Sequence, residues 1–216
     1  MVDHSLRKEV LTAAYESGTC WLPSTFSCVE ILCAIFETAE PDDAVILSKA
    51  HASLALYACL NKYRGADLDL HTYAKAGSML GGHADRLQVP GVDVTCGSLG
   101  IGLAMAVGMA MSGRKTYCVC GDRELQEGVA QEALAITDYE NLTVIVGCND
   151  CGFDHEPDVL GEVGWEYGDV NHIGTQSGFP CPTLMEAPNF WHRRCPNAEE
   201  YKQLMHELDE AEASAS

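Results

Sequence analysis

Two short apolar runs constrain this chain more than any other feature. Residues 115–120 read KTYCVC and residues 142–148 read LTVIVGC, with a helical stretch over 126–139 between them. Neither run alternates polar with apolar residues, so each is a strand covered on both faces. Strand, helix, strand at this spacing is the βαβ unit of a parallel sheet. A third run, 44–47 (AVIL), adds a buried strand. Helices are expected over 4–17, over 27–38 with Ser27 as N-cap and Glu30 completing a capping box, over 51–63, and over the small-residue stretch 100–112. Residues 64–97 are Gly-rich and loop-like, and 210–216 reads as a frayed tail. The fold class is therefore α/β, an open, mostly parallel sheet with helices on both faces, in a single domain over 1–216.

Length and charge bound the function. With 216 residues and 47 % hydrophobic content, the chain can bury a core. It carries a net charge of −19, which disfavours a nucleic-acid backbone or an anionic membrane as partner. Most of that charge is local: residues 122–170 hold 13 acids and one base, Arg123. An acidic coat would spread evenly, whereas a block suggests a solvated face, a metal site or a partner contact. Eleven cysteines match no zinc module and read as free, buried or half-buried thiols in a reducing cytoplasm. No run of about 20 apolar residues and no secretory pattern at the N-terminus is apparent.

In open parallel sheets, ligands bind beyond the carboxyl ends of the strands. One run ends at Gly121-Asp122 and the next at Cys148-Asn149, with Asn149 27 residues after Asp122. A carboxylate and an amide oxygen from neighbouring strand ends suit a hard divalent cation that bridges a diphosphate. The plainer alternative is that Asp122 caps the next helix and Asn149 opens a turn.

A series of motifs in one order narrows this. The stretches FSCVEIL, VILSKAHASLALYACL, GGHAD, PGVDVTCGSLGIGLAMAVGMA, GDRELQEGVAQEAL and NLTVIVGCND, followed by a weaker echo in LMEAPNFWHRRCPNAEEYKQLMHEL, resemble the N-terminal half of transketolases, over roughly residues 5–208. That half holds the diphosphate of thiamine diphosphate. The resemblance implies that Asp122, Asn149 and the main-chain carbonyl of Cys151 ligate Mg²⁺ (or Ca²⁺ or Mn²⁺). It implies that His51 lies near the diphosphate and the reacting centre, and that His83 bonds substrate hydroxyls or a developing oxyanion. Gly97, Ser98 and Leu99 match the loop that approaches the cofactor, beside Gly121, Asp122 and Arg123. Glu127 and Glu132 match acids that link paired active sites across a dimer. Lys49 and Arg86, next to the two histidines in sequence, are candidates for a substrate phosphate, with plain surface cations as the alternative. His172 and His192 read as structural.

Three departures from the family pattern stand out. Arg123 replaces the usual glycine after the aspartate. The early loop reads SGTCWLPSTFS, with a tryptophan where a histidine would fall. After Asn149 the chain is shortened, so the fold is somewhat trimmed and a sheet edge needs covering. The resemblance implies transfer of a two-carbon ketol unit from a ketose (phosphate) to an aldehyde. A separately encoded, pyrimidine-binding C-terminal subunit would take part in an α₂β₂ assembly acting on small sugars in the cytoplasm. The alternatives are a subunit of a deoxyxylulose-phosphate-synthase-like or acyl-transferring thiamine-diphosphate enzyme, and a non-catalytic scaffold.

Overall fold

The computed structural model describes residues 3–136, 140–148 and 170–215. Four strands form its sheet: β1 (Ala44–Leu47), β2 (Thr116–Gly121), β3 (Leu142–Cys148) and β4 (Val170–Gly174). They lie in the order β1-β2-β3-β4, and every pairing is parallel. The parallel class expected from the apolar runs is what forms. All four carboxyl ends therefore fall on one edge of the sheet.

Side chains alternate across the sheet even though the sequence does not. Val45, Leu47, Val119 and Ile145 enter one core, while Ile46, Cys118, Cys120, Leu142, Val144 and Val146 enter another. Both faces are buried, so both sets must be apolar, and this is why the runs look continuous. The first core is closed by α1 (His4–Ser17), α2 (Leu22–Thr38) and α3 (Ser53–Arg64). The second is closed by α4 (Ile101–Met111) and α5 (Gly128–Leu134). Short helices α6 (Pro182–Glu186) and α7 (Pro188–Trp191) follow, then α8 (Ala198–Ala215).

Three boundaries differ from the sequence expectation. Helix α2 begins at Leu22 rather than near Ser27, with Pro23 in its first turn. Proline is tolerated there because the first N–H groups have no intrahelical partner. Ser27 is thus inside the helix, where its Oγ donates to the Ser24 carbonyl at 2.9 Å. The helix expected from 126 is replaced at its start by a 3-10 turn over Asp122–Gln126. The expected frayed tail is instead the end of α8, held against α1. Lys8 meets Asp209 and Glu212, each at 2.6 Å, and the Tyr15 and Tyr201 rings stack at 4.3 Å. Leu204 and Leu208 on the same helix are fully buried.

The outer edge of β1 is covered by a loop. The Val45 N–H donates to Asp93 Oδ2 at 2.9 Å, and the Cys96 thiol donates to the Leu47 carbonyl at 3.3 Å. This blunts an edge that would otherwise template another strand. No helix among the described residues is long and apolar enough to cross a membrane.

Helix α4 lies so close to the end of β1 that a Cβ on Gly102 would stand 2.6 Å from the Ser48 Cα. Backbone, not a flexible side chain, would have to move. Gly102→Ala should therefore destabilise the protein by about 1–3 kcal/mol. Urea unfolding measures this, and wild-type stability would show that α4 does not approach β1 so closely.

Candidate functional site

The carboxyl edge of the sheet is organised by one buried carboxylate. Glu124, 1 % exposed, follows β2 in the 3-10 turn. It accepts hydrogen bonds from the Ser48 hydroxyl after β1, from the Gly100 N–H at 2.8 Å and from the Gly121 N–H at 3.2 Å. Ser48 Oγ in turn accepts from the Leu103 N–H at 3.0 Å. One side chain thus ties the ends of β1 and β2 to the start of α4. Burial raises the Glu124 pKa, and the Ser48 hydroxyl, the two backbone donors and nearby Lys49 oppose the shift.

Above this tie lies a cavity of about 390 Å³, lined by segments far apart in the chain. Lys49 and His51 enter directly after β1, Gly121 at the end of β2 with Asp122 and Arg123 after it, and Ser177 after β4. Lys49 is buried, and its Nζ donates to Ser27 Oγ at 3.0 Å. The His51 turn is fixed by the Ala50 N–H to the Ser48 carbonyl at 2.7 Å and the Ala52 N–H to the Lys49 carbonyl at 2.9 Å. His83 follows a Gly-Gly pair whose first carbonyl, that of Gly81, accepts from the Tyr57 hydroxyl at 2.9 Å and Ser53 Oγ at 3.1 Å. Gly97 and Leu99 complete that side.

Trp21 stands edge-on to both histidines, with ring centroids 6.0 Å from His51 and 5.8 Å from His83. The two pack closely: a Cβ on Gly82 would stand 3.3 Å from the indole, a contact to which the ring would have to yield slightly. The ring of His192 lies 6.1 Å from that of His51. His192, expected to be structural, lies in the lining, because the segment before α8 carries it and Arg193 there.

The lining is locally cationic in an acidic protein. Lys49, Arg123 and Arg193 outnumber Asp122 and the buried Glu124. Burial, reinforced by Lys49, His192, His83 and Arg193, pushes the His51 pKa down to about 3. Burial followed by Arg123, Arg193 and Lys49 lowers that of His192. His51 is accordingly a neutral imidazole near pH 7, able to donate at one nitrogen and accept at the other. A cavity with this balance suits an anion, and a diphosphate carried by a flat heteroaromatic fits its charge and its aromatic wall.

The structure thus brings His51, His83, Lys49, Gly97, Leu99, Gly121, Asp122 and Arg123 together. It leaves others apart. Ser98 is exposed outside the lining, as are Glu127 and Glu132. Arg86 lines a different depression, with Asp43 and Arg114 near the amino end of β1, because the turn from Asp85 to Thr95 carries it away. Asn149 and Cys151 lie outside the described residues, so Asp122 is the described member of the expected metal set. Sequence reading did not single out Glu124, Ser177, Pro188, Asn189 or Arg193, and it saw Trp21 only as a departure. The one available signal for Glu124 was an acid two residues beyond a strand-end aspartate.

Two outcomes follow from this geometry. Glu124→Gln places an amide NH₂ against N–H and O–H donors and should destabilise the fold by about 1–3 kcal/mol in urea unfolding. For His51, the unfolded chain binds a proton below about pH 6.5 whereas the folded site resists until about pH 3. Stability is therefore lost as pH falls from 6.5 toward 3. His51→Gln should flatten that loss between pH 7 and pH 5, and an unchanged slope would show that His51 is not held neutral.

Comparison with known proteins agrees with this architecture. Residues 39–157, more than half of the chain, match the family described as "Transketolase, thiamine diphosphate binding domain". The transketolase of Geobacillus stearothermophilus is 38 % identical over 136 residues, 53 % of this chain and 20 % of that protein. An apulose-4-phosphate transketolase subunit of Phocaeicola vulgatus is 26 % identical over 260 aligned residues, covering 94 % of this chain and 91 % of that one. The 6-deoxy-6-sulfo-D-fructose transketolase subunit SqwG of Clostridium sp. (strain MSTE9) is 31 % identical over 169 residues, 64 % and 61 % of the two chains. The chain spans about a fifth of the length of the first full-length transketolases it matches. With the parallel sheet, the strand-end cavity and this match in agreement, the chain belongs to the transketolase thiamine-diphosphate-binding domain family.

Proposed function

We propose that this chain is the diphosphate-binding subunit of a thiamine-diphosphate-dependent transketolase-like enzyme that moves a two-carbon ketol unit from a ketose (phosphate) to an aldehyde. The observation that carries this reading is the convergence of His51, His83, Asp122 and the Lys49–Arg123 pair of cations on one cavity at the carboxyl edge of a parallel sheet. When bound, thiamine diphosphate supplies the nucleophilic carbon of the reaction. Lys49 and Arg123 offset the charge of its diphosphate. Asp122, together with Asn149 and Cys151, would hold Mg²⁺, an oxygen-ligated cation suited to a diphosphate. Neutral His51 accepts or returns a proton at a substrate hydroxyl, and His83 donates to the substrate oxygen on which charge grows. Trp21 walls the cavity and excludes water.

A separately encoded pyrimidine-binding subunit completes the enzyme in this reading, in a two-fold α₂β₂ assembly in the cytoplasm. Two relatives are named as transketolase subunits, and one of them is matched over nearly its whole length. Helix α4 supports it physically. Ile101, Met105, Gly108 and Met111 recur at helical spacing, with Ile101 38 % and Met111 59 % exposed, which leaves an apolar stripe for a partner. Glu127 and Glu132 stand exposed on the neighbouring α5 segment, available to an assembly contact between active sites. The relatives' names favour transketolase over the other thiamine-diphosphate enzymes and over a scaffold.

The test is to co-purify this chain with its pyrimidine-binding partner, add Mg²⁺ and thiamine diphosphate, and assay ketose cleavage with several aldehyde acceptors. Turnover is expected, together with a cofactor-dependent rise in Tm. Asp122→Ala should abolish Mg²⁺-dependent cofactor binding in calorimetry while leaving the far-UV spectrum unchanged. Wild-type affinity in that variant overturns the metal assignment, and the absence of both turnover and a Tm rise overturns the enzyme reading.

A further inference from the structure

All ten described cysteines are free thiols, and three pairs lie within sulfur contact. Cys118 and Cys120 (3.6 Å) are two residues apart in β2, fully buried and facing the same core. Cys33 and Cys59 (4.0 Å) are buried between α2 and α3. Cys20 and Cys195 differ in three respects. Their sulfurs are 2.9 Å apart, the closest approach of the three, although 175 residues separate them in sequence. Cys195 is half-buried, so one partner is accessible. Both also sit in connections between helices rather than inside an element, Cys20 between α1 and α2 and Cys195 between α7 and α8.

The surroundings favour reaction at Cys195. The neighbouring Arg194 guanidinium lies over the Phe190 and Trp191 rings, at 4.7 and 4.6 Å, and is clamped by Glu200 at 2.6 and 2.8 Å. One of its nitrogens, Nη1, is buried with no hydrogen-bond partner. The hydrogen bond with Cys20 and, against the opposing effect of burial, the Arg194 charge lower the Cys195 pKa, while that of Cys20 is raised by the same hydrogen bond and by burial. Cys20, buried, is placed to receive the second step.

We propose that Cys20 and Cys195 are a reversible dithiol–disulfide site that staples the two loops forming the cavity wall. Trp21 adjoins Cys20, and His192 and Arg193 lie just before Cys195, so the bond would fix the aromatic and cationic wall of the cavity. The oxidant is a low-molecular-weight disulfide. The Cys195 thiolate attacks one of its sulfurs and expels a thiolate, giving a mixed disulfide. Deprotonated Cys20 then attacks the Cys195 sulfur and expels the second thiolate. Two protein thiols and one small disulfide become one protein disulfide and two small thiols. This inference stands on the chain's own geometry and does not depend on the proposed reaction.

The test uses the full chain, equilibrated in buffers of increasing ratio of oxidised to reduced glutathione. Free thiols are then alkylated and the protein is analysed by intact mass and peptide mapping. A loss of two hydrogens is expected, with one cross-linked peptide pair joining Cys20 to Cys195, reversed by dithiothreitol. The oxidised protein should melt higher than the reduced one, and Cys195→Ser should lose both the cross-link and the Tm difference while Cys33→Ser keeps them. Because the peptide map needs only the wild-type chain, misfolding of a variant does not shield the proposal. Full alkylation of Cys20 and Cys195 at the most oxidising poise, or a cross-link that joins other cysteines instead, overturns it.

Discussion

The site depends on a carboxylate that never reaches its ligand. Glu124 is buried beneath the cavity and accepts from Ser48, Gly100 and Gly121. These donors come from the ends of two paired strands, where the Ser48 N–H still donates to the Val119 carbonyl at 2.9 Å, and from the start of a helix that no strand ladder holds. A buried acceptor of this strength orders them because leaving any one donor unmatched in a dry interior is unfavourable. The position of Asp122, two residues earlier, follows from this tie. So does the close approach of α4, which only Gly102 permits.

Parallel topology does the rest of the positioning. When every strand runs in one direction, the residues after each strand meet at one edge, whatever their separation in sequence. Lys49, Asp122 and Ser177 come from the ends of β1, β2 and β4 and line one cavity. Helices on both faces seal the sheet and leave that edge as the open surface. Chemistry is then set by loops, while the strands supply rigidity.

Electrostatics separates the cavity from its protein. A chain of net charge −19 would repel an anion at long range, yet three cations gather in one lining. Burial, with two of those cations, Lys49 and Arg193, keeps His51 neutral. The arrangement joins fixed positive charge for an anionic group to an imidazole that can carry a proton in either direction.

By itself the sequence determined the α/β class, the helix at 4–17, the strands at 44–47, near 116–121 and at 142–148, and the strand-end position of Asp122, while His51 and His83 were nominated by the family resemblance. These are local: buried parallel strands read as unbroken apolar runs, and strand-end residues follow directly in the chain. The edge strand β4 carried no such signal, because VNHIG is polar in part. Only the tertiary structure decided that Trp21 meets His51, that His192 and Arg193 enter the cavity, that Arg86 leaves it, and that Cys20 touches Cys195. Each of these depends on where distant segments dock, and docking is settled by packing summed over the whole core, which no local pattern encodes.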